Sequence, residues 1–414
     1  MSIGSSATSA KARSEGAQGA GRLMVLGAGP SQAPGILKAV AAGYDVVTVD
    51  PYPGSVGHAC SQAWVRCDTR DTAGVLDAAI RLRIDGICTF RSDVAIRTVH
   101  HVRAQLGLPG ASPRAAAVMA HKGAFREFQS ASGLPHPDFV QGESTAELLH
   151  TAARLRPPLW CKPVDSSGSR GVSRLVEAGP EALMRAVEHA RGFSGLGTVC
   201  VEEEVPGVEV GGDAIVLDGR IAFIAVTQKY LEHGVVTGHR LPTHLPEADR
   251  QRVEAAIERA VDALGYREGP LNFDAMVSAR AVTLLEISPR NGGNGLTDLI
   301  RHGCGVDMEA ATIRLALGEP AAMLPDRCAG VGVRVLGSAE AGRIARLPGL
   351  DEWQRHCGEI VDLHFGKREG DAVQPFEHNG NAIGHVVFRC DDAAGYQRTA
   401  GEIAALTSTW FEAD

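Results

Sequence analysis

The stretch Asn272-Phe273-Asp274-Ala275-Met276, followed after a turn by Leu284-Leu285-Glu286-Ile287-Ser288-Pro289-Arg290-Asn291-Gly292-Gly293-Asn294, decides how this chain is read. Residues 271–277 and 281–287 form two apolar-rich runs joined by Ser278-Ala279-Arg280, the pattern of a β-hairpin. A tight turn would put Asp274 and Glu286 on one side of that hairpin, with Ser288 and Arg290 following at alternate positions. Paired carboxylates supply the hard oxygen ligands that magnesium takes, and a guanidinium can hold phosphoryl oxygens through two N–H groups. Taken alone, the hairpin equally suits a solvent-exposed ladder of ion pairs.

Three upstream segments gain meaning beside it. In Trp160-Cys161-Lys162-Pro163-Val164-Asp165-Ser166-Ser167-Gly168-Ser169-Arg170-Gly171 a strand delivers a lysine directly into a small, flexible loop. Backbone N–H groups of such a loop can fold over phosphates, and Lys162 adds a point charge. In Val201-Glu202-Glu203-Glu204-Val205-Pro206-Gly207-Val208-Glu209 three adjacent carboxylates repel one another unless cations or hydrogen bonds meet them. Lys122 opens a helix at Ala120-His121-Lys122-Gly123. Separately, these read as a surface loop, an acidic edge and a surface lysine.

The rest of the chain frames them. Buried-strand runs at residues 23–26, 44–49 and 86–90 alternate with helical patterns near 36–42 and 72–82, which predicts a parallel, doubly wound sheet over residues 22–115. Residues 116–325 mix helices with longer strands, and the amphipathic pattern of 247–264 predicts a helix burying Val253, Ile257, Val261 and Leu264. Residues 296–317 read as helical, 320–325 as a linker, and 326–414 as a small β-rich unit closed by a helix. Residues 1–21, rich in Ser, Ala and Gly, read as a disordered tail.

Composition excludes several classes. Of 414 residues 44% are hydrophobic and 22% charged, as in ordinary globular proteins, and the length suits more than one domain. A formal net charge of -8 with no basic run argues against a nucleic-acid partner. No apolar run approaches the roughly 18 residues of a membrane span, and residues 1–21 lack the apolar core expected of a signal peptide. The nine cysteines include no C-x-x-C pair, so free thiols in a reducing cytoplasm are expected. Gly27-Ala28-Gly29 lacks the third glycine of a dinucleotide fingerprint, since position 32 is Gln32, and no phosphate loop of the G-x-x-x-x-G-K type occurs.

In order and spacing, Lys122, Lys162 with its Ser/Gly loop, Glu202-Glu203 with Val205 and Glu209, Asp274, and Glu286-x-Ser288-x-Arg290 resemble the ATP-grasp superfamily over nearly the whole chain from Arg22. The resemblance implies an ATP-grasp fold, α/β with an α+β ATP-binding part over residues 116–325 and a lid subdomain at about 116–200. It implies that Lys122, Lys162 and Ser166, Ser167, Gly168, Ser169 and Gly171 meet ATP phosphates. Glu202, Glu203 and Val205 would surround adenine, and Glu209 would take the ribose. Asp274, Glu286 and Ser288 would hold one or two Mg²⁺ ions, with Mn²⁺ as a substitute. The superfamily usually has Asn at the position of Ser288, where a hydroxyl can still ligate Mg²⁺ or hold a water on it.

Thr227-Gln228-Lys229, Gly238-His239-Arg240-Leu241-Pro242 and Arg290-Asn291-Gly292-Gly293-Asn294 further resemble segments of L-amino acid ligases. This implies catalytic roles for Lys162, Lys229 and Arg290 and substrate contacts from His239, Arg290, Gly292, Gly293 and Asn294. The implied reaction joins an amino acid or other carboxylate to an amine through an acyl phosphate, releasing ADP and phosphate. The implied partners are small molecules, with a second copy of the chain as a dimer. Carboxylating or cyclising ligases of the same core, and an inactive ATP-binding protein, are the alternatives; a nicotinamide enzyme would rest on Gly27 and Gly29 alone.

Overall fold

Leu23, Met24, Val25 and Leu26 are all fully buried, because the strand they form is covered on both faces. In the computed structural model, which describes residues 21–412 except 233, 322 and 358, this strand β1 (Arg22–Leu26) lies beside β2 (Asp45–Val49), β3 (Ala63–Val65) and β4 (Gly86–Thr89). The order is β3-β2-β1-β4 and every pairing is parallel. Met24, Leu26, Val47 and Val49 pack on one side with Val75 and Val99. Leu23, Val25 and Val46 pack on the other with Ile36 and, from far along the chain, Ile313. A sheet covered on both faces gives continuous apolar runs, as the sequence shows. The expected tail lies, except for Gly21, outside the described residues.

The order places a switch point between β1 and β4, where the loops after those strands diverge and open a crevice at the strands' carboxyl ends. Those loops carry Ser31, Arg91 and Asp93.

A second sheet is antiparallel: β5 (Phe139–Gly142), β6 (Leu159–Pro163), β7 (Ser173–Leu175) and β8 (Val199–Glu203), in the order β5-β8-β6-β7. Helices Thr145–Ala152 and Pro180–Gly192 cover one face through Leu148, Leu183 and Val187. The alternation of β6 leaves Cys161 buried and Lys162 half-buried, turned the other way.

The largest sheet holds β9 (Val208–Leu217), β10 (Arg220–Glu232), β11 (Val235–Leu241), β12 (Gly269–Val277) and β13 (Val282–Ser288). The chain then runs through β14 (Val331–Leu336), β15 (Gly342–Ile344), β16 (Ile360–Phe365), β17 (Ala372–Val373), β18 (Gly384–Arg389) and β19 (Phe411–Glu412). Its order is β13-β12-β9-β10-β11-β14-β18-β16, so the three longer strands of the C-terminal region continue the central sheet through the β11–β14 ladder. Short strands β17-β15-β19 form a separate patch over a core containing Trp353 and Trp410.

Helix Glu247–Leu264 buries Val253, Ile257, Val261 and Leu264 as the periodicity predicts, and stops at Gly265 with φ 64°. The helix expected over 296–317 is two, Leu296–Cys304 and Met308–Ala316. Gly305 (φ 78°) ends the first, and the Asp307 side chain accepts the Ala310 N–H to start the second, so local capping interrupts a continuous apolar pattern. No helix among the described residues is long and apolar enough to cross a membrane. All nine cysteines are free.

Candidate active site

A cleft of about 680 Å³ lies where the three sheets meet, and most of the residues singled out in the sequence line it. Lys122, Lys162, Ser166 to Ser169, Glu202, Glu203, Val205, Glu209, Lys229, His239, Asp274, Glu286, Arg290, Gly293 and Asn294 are in its wall. Gly171, Ser288 and Gly292 are not.

The hairpin β12–β13 brings its two carboxylates together by an irregularity. From Val277↔Val282 to Ala275↔Leu284 the register is regular, then it shifts so that Asp274 opposes Glu286. Leu285 is the extra residue of this bulge. Without it Asp274 would oppose Leu285, and Glu286 would point to the other face. Each carboxylate meets a lysine: Lys229 Nζ stands 2.8 Å from Asp274, and Lys122 Nζ 3.4 Å from Glu286.

Lys229 also donates to Glu209 Oε1 (2.7 Å). Burial alone would lower the Lys229 pKa, but Asp274 and Glu209 outweigh it and hold it above the ordinary lysine value. Lys122 begins helix Lys122–Ala131, which is capped by the His121 ring accepting the Ala124 N–H (3.0 Å). Its Nζ donates to the Ser166 carbonyl oxygen (2.7 Å).

The three adjacent carboxylates each find cations. Glu202 is buried between Arg126, whose Nε donates at 2.9 Å, and Lys162, which donates to Oε1. Burial would raise the Glu202 pKa, yet Arg126 and Lys162 bring it down to about 2. Glu203 accepts from Arg156 (3.1 Å), and Glu204 from Arg174 NH2 (2.8 Å) and Trp160 Nε1 (3.1 Å). The Glu202 side chain is therefore an ion-pair partner of Lys162 within the wall. The repulsion visible in the sequence is relieved by residues 30 to 76 positions away.

His239 has a fixed tautomer. Thr227 Oγ1 donates its proton to the Gly211 carbonyl oxygen (2.8 Å), so at its 2.9 Å contact with His239 Nδ1 it must accept. Nδ1 then carries the ring proton and Nε2 is a bare acceptor. Burial, with Lys229 nearby, lowers the His239 pKa to about 4, so the ring is neutral at neutral pH.

Two of the predicted site residues are already engaged by Asp93. Ser288 is buried and its hydroxyl donates to Asp93 Oδ1 (2.7 Å), so it faces a carboxylate outside the Asp274–Glu286 pair. Arg290 is not free to grip phosphate with two N–H groups. Its Nε and NH2 donate to Asp93 (2.8 Å each), and NH1 donates to Asn272 Oδ1 (2.9 Å) and the Asn291 carbonyl oxygen (3.0 Å). Of the five guanidinium N–H groups, one on NH2 remains. Gly292 shapes the turn instead of lining the cleft: its N–H donates to both Asp213 oxygens (3.0 and 2.9 Å). Gly171 (φ 72°) packs against Phe193, where a side chain would collide.

Sequence reasoning missed Arg91, Asp93, Trp160, Asn379 and Gly380, all in the wall. Arg91 and Asp93 follow β4 at the switch point, a position that could have flagged them. Asn379 and Gly380 lie between β17 and β18, and nothing local distinguishes them.

The residues present fit a divalent cation with a polyphosphate. Asp274 and Glu286 offer only oxygen, and no group of three or more His, Cys, Asp or Glu among the described residues is placed to hold a metal. Two protein carboxylates, with phosphate and water completing the shell, is the arrangement magnesium takes.

The chain is similar to several known proteins. Residues 334–408 match the L-amino acid ligase C-terminal domain 2. The chain is 27% identical over 301 residues to an uncharacterised protein of Sinorhizobium fredii, covering 70% of this chain and 61% of that one. It is 39% identical over 157 residues to carnosine synthase 1 of Gallus gallus, covering 35% of this chain and 16% of that enzyme. It thus spans less than two thirds of the length of either relative. The crystal structure of an L-amino acid ligase from Bacillus licheniformis superposes with a TM-score of 0.77 at 18% identity, over 94% of this chain and 98% of that one. The chain thus shares the ATP-grasp fold of that structure, and its residues 334–408 resemble the C-terminal domain of L-amino acid ligases.

Proposed function

We propose that the chain is an ATP-dependent carboxylate–amine ligase that forms an amide bond between an amino acid or other carboxylate and an amino acid amine, releasing ADP and phosphate. The observation that carries this reading is the Asp274–Glu286 pair, cross-strand partners facing Lys229 and Lys122 beneath a Ser/Gly loop. The match of residues 334–408 and the carnosine synthase likeness favour an amino acid among the substrates.

Lys122 and Lys162 line the half of the cleft beside the 166–171 loop, where they neutralise phosphate charge and leave the γ-phosphorus open to a carboxylate. Asp274 and Glu286 would hold Mg²⁺, which supplies Lewis-acid stabilisation of the transferring phosphoryl oxygens. Lys229 stays protonated between Asp274 and Glu209 and keeps both carboxylates in place. The remaining N–H of Arg290 is a fixed donor for an oxyanion. His239 Nε2 offers an acceptor to the N–H of the incoming amine, which attacks the acyl phosphate and expels phosphate. Closure of the loop keeps water from the intermediate.

The test is ATP breakdown with Mg²⁺ and pooled amino acids, with nucleotide and product identified by mass. ADP and phosphate appearing only with an amino-acid pair supports the ligase. AMP and pyrophosphate would mean an adenylate mechanism and end this reading, and turnover driven by bicarbonate would make the enzyme a carboxylating relative.

A further inference from the structure

Three separate parts of the chain hold the 166–171 loop shut. Lys122 Nζ donates to the Ser166 carbonyl oxygen (2.7 Å), Ser169 Oγ donates to the Gly234 carbonyl oxygen (3.3 Å), and the Asn379 backbone N–H donates to the Gly168 carbonyl oxygen (3.2 Å). The first two anchors come from the ATP-grasp core. The third comes from the segment matched to the ligase C-terminal domain. Gly168 and Ser169 both have left-handed backbone, φ 68° and 62°, which for serine is a strained conformation that surrounding contacts must maintain.

The turn that bears Asn379 is itself firmly mounted. Phe376 N–H donates to the Ser338 carbonyl oxygen (2.8 Å), Asn381 N–H to His378 (3.0 Å), and the Asn381 amide to the Pro375 carbonyl oxygen (2.7 Å). Asn379 and Gly380 line the same cleft as the catalytic candidates. The Asn379 side-chain oxygen is buried without a hydrogen-bond partner among the described residues, which is costly unless a bound group supplies a donor.

We propose that the turn at residues 378–381 is the docking wall of the phosphate loop, and that Asn379 is a positioning residue whose main-chain N–H seats the loop over the nucleotide. The C-terminal module then has a task in the reaction: it provides the third side of the closed lid, so that water is excluded only while the module is in place. This rests on the ligase reading for what the loop covers, but the latch itself is a property of the chain alone.

Asn379 opens a single 3₁₀ turn and follows an extended His378 (φ −158°, ψ 160°), a position that accepts proline. Asn379→Pro therefore deletes the donor and keeps the turn. Arg170 is exposed in the loop and is a built-in trypsin site. With trypsin on the full chain, Asn379→Pro should be cut after Arg170 about fivefold faster than the wild type, whereas Asn379→Ala, which keeps the N–H, should be cut at the wild-type rate. Equal cutting of the wild type and Asn379→Pro, both with native thermal transitions, overturns the latch. If Asn379→Pro loses its transition, amide exchange at Asn379 in the wild type decides: protection supports the bond, and the free-peptide rate overturns it. In the ATP assay, Asn379→Pro should raise the KM for ATP and the share of ADP released without coupled product. A chain that breaks down no ATP would sink the ligase reading, and the trypsin comparison would still judge the latch.

Discussion

Arg290 and Asp93 face each other through two hydrogen bonds of 2.8 Å, from Nε and from NH2, across the junction of the parallel sheet and the largest sheet. Burial would raise the Asp93 pKa, but Arg290 outweighs it and brings it down to about 2. This pair fixes the turn after β13 against the loop after β4, and leaves Arg290 with a single aimed donor. Asp93→Asn strands a buried guanidinium, so unfolding free energy should fall by about 3–5 kcal/mol. A urea midpoint equal to that of the wild type would refute the pairing.

Acid should loosen the same junction. Asp93 and Glu202 are both held at about 2, against ordinary values of 3.8 and 4.5. Between those values the folded chain binds fewer protons than the unfolded one. Their contribution is therefore fully present above about pH 4.5 and is lost as the pH falls toward 2. Urea unfolding at pH 6, 4 and 3 should show this decline. Glu202→Gln should lower stability at pH 6 and flatten the profile.

Glu286→Gln keeps the shape of the hairpin and removes one of its two carboxylate charges. Turnover of ATP should drop by on the order of 10²–10³-fold with an unchanged thermal transition, since the proposed metal clamp on the phosphoryl oxygens would be lost. Wild-type activity in this variant would remove Glu286 from the proposed metal site.

If a free α-amine is the nucleophile, only its neutral form attacks. With an amine pKa of about 7.7–8.0 the rate should climb from about pH 7 to about pH 8.5. His239 does not oppose this trend, because its pKa of about 4 keeps it neutral throughout. Single-turnover rates across that range are the measurement, and a flat profile would count against an amine acceptor.

Gly238 sits where β11 meets β14, and a Cβ there would stand against the Tyr396 hydroxyl and the Val333 carbonyl oxygen. The Tyr396 ring is stacked on Tyr230 and cannot swing away easily. Gly238→Ala should cost about 1–3 kcal/mol and lower the melting temperature. No change would mean that the C-terminal helix yields.

Much of the architecture was legible because it rests on short-range patterns. Continuous apolar runs gave the parallel sheet, and the 3.6-residue period gave helix Glu247–Leu264. The ordered motifs brought Lys122, Lys162, Asp274, Glu286 and Arg290 under suspicion, and the chain does bring all five into one cleft. Side-chain chemistry and spacing along the chain suffice for that much.

What each group can do was decided elsewhere. A one-residue bulge at Leu285 turns Glu286 to the side of Asp274, and nothing in the local sequence announces it. Asp93, 197 positions before Arg290, takes two N–H groups of the guanidinium and the Ser288 hydroxyl as well. Arg126 and Lys162 convert Glu202 from a repelled neighbour into a buried ion-pair partner. Asn379 reaches the 166–171 loop from the far end of the chain. Sequence alone fixes which charges and hydrogen-bonding groups the chain carries. Their pairing depends on distances of a few ångströms between residues far apart in the chain, and only the packed tertiary structure sets those distances.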